Sequence, residues 1–194
     1  VVALYEATLP DSVYLAYALK TLGLNQRLLG DHPAAIATFT RAMGMFRHAE
    51  GAASEEAQWC AINRGASEFA QAPTAARLAA LVALGESYLA SGASSFDWVV
   101  RMLLAESAAD LPDLALARRW ADGVQARMDA AGDPNPGKRA RLQALLRELD
   151  LRGGRPVEAA DREFADRLLQ TGEGGITQNA LQNRFAFPIP FGSD

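Results

Sequence analysis

At 194 residues, 49% of them hydrophobic, the chain is long enough to bury a sizeable core as one or two domains. Ala, Leu and Arg are abundant and β-branched residues are few, a composition that suits packed helices and argues against sheets. A formal net charge of -4 argues against a general nucleic-acid binder, which normally shows a basic surplus, so adjacent bases such as Arg118-Arg119 and Lys138-Arg139 read as solvated helix faces.

Val2-Ala3-Leu4-Tyr5-Glu6-Ala7 reads as the last turns of a helix. The next helix is expected over residues 12–29, where Gly30 can end it with a positive φ. Asp31 then caps a helix over 33–48, Pro33 suits its first turn, and Ile36, Phe39, Met43 and Phe46 recur on one face. Ser54-Glu55-Glu56-Ala57 gives a cap and first-turn acids to a helix over 54–70, and Pro73-Thr74 opens another that ends near Ser91-Gly92. Phe96, Val99, Val100, Leu103 and Leu104 carry a helix that stops near Asp110. After Pro112-Asp113, the residues Leu114, Ala117, Trp120, Ala121, Val124 and Met128 form one stripe that ends at Gly132. Leu142, Leu145, Leu146 and Leu149 mark a helix over 137–151, and beyond Gly153-Gly154-Arg155-Pro156 a last one runs over 157–170. From residue 12 onward this makes about four antiparallel helix pairs.

The landmarks between Leu19 and Phe39 are the most specific: Leu19-x2-Leu22-Gly23, then Gly30-Asp31, then Ala35-x3-Phe39. Gly23 is small where two helices approach closely, and Ala35 and Phe39, one turn apart, form a small-large pair that can fill the gap. This pattern resembles the tetratricopeptide repeat, with Leu19 in the place of its Trp and Gln26 in the place of its Tyr. The match is closest over residues 14–47 and returns over 139–169, where Ala160 and Phe164 repeat the pairing. Leu81-x2-Leu84-Gly85-x2-Tyr88 fits the first-helix half again, but Asp97 and Arg101 stand where the following Ala and Phe should fall. The spacing from Leu4 to Met45 exceeds the usual unit of ~34 residues and is similar to the longer repeats of kinesin light chains and their bacterial relatives.

The resemblance implies an all-α fold: a right-handed α-solenoid over residues 1–171, with 1–8 as the end of a preceding repeat. It also implies function. In such repeats the first helix of each pair lines a concave face, which makes Tyr17, Lys20, Leu24 and Arg27 the candidate contacts for a protein or peptide segment. The plain alternative for these four is a solvated helix face. Relatives that grip a C-terminal carboxylate carry Asn directly after the Gly; Leu24 is found here, so a clamp of that type is not expected. The expected function is therefore a protein- or peptide-binding scaffold without catalysis. The alternatives are the regulatory C-terminal region of a multidomain bacterial signalling protein whose kinase, NTPase or peptidase domain lies upstream, or a structural homodimerisation module.

The residues offer little for chemistry. Gly132 to Lys138 has the Gly-x4-Gly-Lys spacing of a phosphate-binding loop, but Arg139 replaces the required Ser or Thr, and Pro134 and Pro136 remove two amide donors. Gly65-Ala66-Ser67-Glu68-Phe69 lacks the second Gly of a nucleophile elbow, and Glu55-Glu56 suits a helix start better than paired-carboxylate catalysis. The lone Cys60 reads as a small buried apolar residue, and with His32 and His48 as the only histidines no zinc spacing arises, so no metal or cofactor is expected. No apolar run reaches the length of a membrane span and no basic-then-apolar leader opens the chain, so a cytoplasmic protein without a membrane partner is expected.

Residues 172–194 begin with a Gly-rich break and end in a tail in which Phe185, Phe187, Ile189 and Phe191 alternate with Ala186, Pro188 and Pro190. Extended backbone would turn these large side chains one way, and such a stripe is expected to dock. It could seal the last helix as solenoid ends require, occupy the concave groove as a detachable ligand, or associate with another copy.

Overall fold

The computed structural model describes residues 1–154 apart from Ala52, Ala93, Ser94, Pro112, Asp133 and Pro134. The expected helix over 157–170, with its Ala160/Phe164 pair, and the tail residues Phe185, Phe187, Ile189 and Phe191 lie outside the described residues. The described residues form α1 (Val2–Thr8), α2 (Val13–Leu28), α3 (His32–Glu50), α4 (Glu55–Gln71), α5 (Ala75–Ala90), α6 (Asp97–Asp110), α7 (Leu114–Ala131) and α8 (Pro136–Arg152), with no strand among them.

Local chemistry sets the boundaries. Ser12, Asp31, Ser54, Thr74 and Asp113 each accept a hydrogen bond from the backbone N–H three residues on, which satisfies a donor that the helix start leaves open. Asn135 does the same for α8, its Oδ1 accepting from the Lys138 N–H at 3.0 Å. Gly132 stops α7 in the left-handed region at φ 61°, so in the stretch with phosphate-loop spacing Gly132 is a helix stop and Asn135 a helix cap.

Consecutive helices pack against each other along the whole series, as in a helical repeat. Small-on-large contacts recur at these crossings. A Cβ on Gly23 of α2 would lie 2.9 Å from the Phe39 ring of α3, one on Gly65 of α4 would lie 3.1 Å from Leu84 of α5, and one on Gly85 of α5 would lie 2.7 Å from Leu104 of α6. Leu104, and not Asp97 or Arg101, therefore fills the notch at Gly85; those two make an ion pair of 2.7 Å along α6 instead. Side chains of α2, α3 and the start of α4 form one core cluster around Phe39 and Phe46, and those of α4 to α8 form a larger one around Trp59, Tyr88 and Trp120. Leu24 and Leu84 pack against both, so the two clusters are continuous through the middle of the series.

Contacts that skip one helix link α2 to α4, α4 to α6 and α6 to α8. The even-numbered helices thus make an inner row, and α3, α5 and α7 flank it. A polar knot fixes this row at its centre: the Tyr88 hydroxyl donates to Glu55 Oε1 at 2.6 Å and accepts from the Phe96 N–H at 3.0 Å. Burial, together with the hydrogen bond to Glu55, raises the Tyr88 pKa, so the phenol stays a donor across the working pH range. Among the described residues no helix is long and apolar enough to cross a membrane.

Candidate functional site

The four candidate residues lie on one side of α2, spaced by three, four and three positions, and the structure gives them different surroundings. Tyr17 is 40% exposed and packs edge-on against Phe46, with ring centroids 5.0 Å apart. Burial and the nearby Glu56 and Glu50 carboxylates raise its pKa, which keeps it a neutral phenol. Lys20 pairs with Glu56 of α4 at 2.7 Å, and its ammonium sits 4.8 Å from the Tyr17 centroid and 5.7 Å from that of Phe96. Leu24 is half-buried where the two core clusters meet. Arg27 is only 8% exposed.

A solvated face does not describe this side of α2. Lys20 ties it to α4, and Arg27 reaches the electrostatic field of the far end of the row. Burial brings the Arg27 guanidinium down to about 10, with the Arg141 charge acting in the same direction and Glu106 opposing both. It remains a cation at neutral pH and in turn depresses the neighbouring His32, whose own burial is the larger cause. The Glu55-Glu56 pair also does more than start a helix: Glu56 holds Lys20, and Glu55 holds Tyr88 and the Ser95 N–H, the latter at 3.2 Å.

Sequence reasoning missed the other end of the row. Glu106 of α6 accepts two hydrogen bonds from Arg141 of α8, Nε–Oε1 at 2.6 Å and Nη2–Oε2 at 2.5 Å, a side-by-side arrangement that matches the shapes of both groups. Trp98 lies beside this pair, with Lys138 Nζ at 5.4 Å and Arg141 Cζ at 5.9 Å from its ring. Lys138 and Arg139, neighbours in sequence, thus part company: Lys138 faces an inner aromatic ring, whereas Arg139 pairs with Asp129 at 3.4 Å near the rim. Glu106 and Arg141 are 35 residues apart, and nothing local marks them as partners.

Among the described residues no group of three or more His, Cys, Asp or Glu side chains could hold a metal ion. Cys60 is buried, and burial pushes its thiol up to about 12, with Lys20 opposing and Glu56 reinforcing the shift. A thiol held that far from ionisation reacts only when the helices open. At pH 8 the native protein is expected to be modified by an aromatic disulfide reagent on the order of 100-fold more slowly than the urea-unfolded chain. Equal rates in the two states would show that the thiol is accessible.

The exposed large apolar side chains described here include Val1, Leu4, Leu9, Tyr14, Tyr17 and Leu29. Most of them gather on α1 and the start of α2, where Leu4 is 64% and Tyr14 62% exposed and the Tyr5 and Tyr14 rings stack at 6.4 Å. Of the described helices, α1 alone buries no residue among those for which burial is given. No family model matches this chain, and no solved structure matches it.

Proposed function

We propose that the chain is a tetratricopeptide-like, right-handed helical solenoid that holds a protein or peptide segment against its inner row and performs no chemistry of its own. The observation that carries this reading is the row itself: α2, α4, α6 and α8 touch one another in order, and Tyr17 presents an exposed aromatic ring on the first of them. A face built from helices locked by Lys20–Glu56 and Glu106–Arg141 is ordered before a ligand arrives, which lowers the entropic cost of recognition. Aromatic side chains with one free face are the usual anchors of such contacts.

Peptides selected from a displayed library against the whole chain provide the test. Tyr17→Ala is expected to weaken the selected peptides about tenfold, the effect of losing one anchor, while Arg47→Ala on the exposed side of α3 leaves them unchanged. Equal affinity for the parent and the Tyr17 variant would move the binding face off the inner row.

A second reading is favoured by a separate observation. The apolar end formed by Leu4, Leu9 and Tyr14 suits association with another copy, as a homodimerisation module requires. Sedimentation of the parent should then show a concentration-dependent dimer that Leu4→Glu abolishes. A parent that stays monomeric at tens of micromolar removes this reading.

A further inference from the structure

Tyr17 of α2 stands where α3 ends and α4 begins, and carboxylates predominate around it. Its ring lies edge-on against Phe46 of α3, and Glu50 follows Phe46 by one turn on that helix. Glu56, in the first turn of α4, lies 2.7 Å from the Lys20 ammonium, so these two charges offset each other. Glu50 is exposed, and its Oε2 accepts from the Ser54 hydroxyl at 2.6 Å. Arg47 and His48, the bases in the last turn of α3, are exposed as well, and among the described residues neither forms an ion pair with Glu50. Burial, Glu56 and then Glu50 all act on the Tyr17 hydroxyl in the direction that keeps it protonated.

The protein already seats one cation in this corner. The Lys20 ammonium lies 4.8 Å from the Tyr17 ring centroid and 5.7 Å from that of Phe96, and Phe96 is itself stacked on Trp59 at 4.3 Å. An aromatic ring with a carboxylate at hand is the chemistry that holds an ammonium or a guanidinium. With Lys20 in place, Tyr17 still offers 40% of its surface to solvent. We propose that the Tyr17 ring and the Glu50 carboxylate together receive a second cation, an arginine or lysine side chain of the bound peptide segment, so that the inner row selects basic ligands. The net charge of -4 adds a long-range attraction for such segments. The proposal rests on Tyr17 being a ligand contact and adds the chemical class of the ligand.

A displayed library of random linear peptides, selected on the whole chain, is the probe. Peptides whose binding depends on Tyr17 are expected to share an arginine or lysine at one fixed position. Replacing that residue by Gln should weaken binding to the parent about three- to fivefold, the size of an exposed charge pair. Glu50→Gln, which keeps an acceptor for the Ser54 hydroxyl, should cost the same factor, and the two changes together should cost no more than either alone. Glu50→Lys should turn the selection toward Asp or Glu at that position. Tyr17-dependent peptides that share no basic residue, or losses that multiply when both changes are made, overturn the proposal and leave the binding face where it is. Peptides that bind equally well without Tyr17 remove the face itself and this proposal with it, and so does a library from which the parent enriches nothing.

Discussion

Phe39→Ala is expected to lower stability by about 3–5 kcal/mol, enough to shift the thermal midpoint by roughly 10 °C. Phe39 is completely buried between α2 and α3, and its ring lies against the backbone of Gly23. Truncation removes the ring and leaves a cavity that two capped helices cannot close without sliding. The fit makes a sharper prediction for the glycine. Gly23→Ala brings a methyl group within 3.0 Å of three ring atoms and is expected to destabilise the parent by about 1–3 kcal/mol, despite the better helix propensity of Ala. In a Phe39→Leu background the crowding is relieved, and the same substitution should become neutral or stabilising. Urea denaturation of the parent, both single variants and the double variant measures this coupling. Additive effects would show that Gly23 and Phe39 do not share the notch.

The second large effect is expected at Arg141. Burial pushes the Glu106 carboxyl above its usual range, while Arg141 and, less strongly, Arg27 pull it back. Arg141→Leu leaves burial almost unopposed, and at pH 7 to 8 an ionised Glu106 without its bidentate partner should destabilise the protein by about 3–5 kcal/mol. The pH dependence has a definite sign. With the folded-state pKa of Glu106 above the unfolded value of about 4.3, the stability linked to its proton is fully present below that value. It is lost as pH rises through the folded-state value, and the variant raises that value further. The deficit of Arg141→Leu relative to the parent should therefore shrink as pH falls from 8 toward 4.5. Denaturant midpoints across this range, followed by circular dichroism, provide the measurement. A deficit that is independent of pH would mean that Glu106 does not titrate in this window and that Arg141 contributes through packing alone.

The two effects differ in how visible their residues are in the sequence. Phe39 stands out because Gly23, Ala35 and Phe39 fall at helical spacings between two capped helices, and local pattern and final contact coincide. Glu106 and Arg141 do not stand out, since each sits in a segment whose apolar residues alone set the period. The four binding candidates were legible as a face of α2 by the same periodicity, but their individual burial was not. Arg27 reads as a solvent-facing base on a helical wheel, yet it is nearly inaccessible because α2 lies beside the rest of the inner row.

The amino-acid sequence by itself determined the helices of the described residues and their limits, because capping side chains, terminating glycines and apolar periodicity act within a few residues. It also marked the Gly23–Phe39 notch, since both halves lie in one hairpin. Only the tertiary structure decided which helices form the inner row, that Leu104 fills the notch at Gly85, and that Lys20 meets Glu56 while Arg141 meets Glu106. Those pairings join residues nineteen or more positions apart, where the geometry of helix packing, and not local propensity, determines which charges and side chains meet.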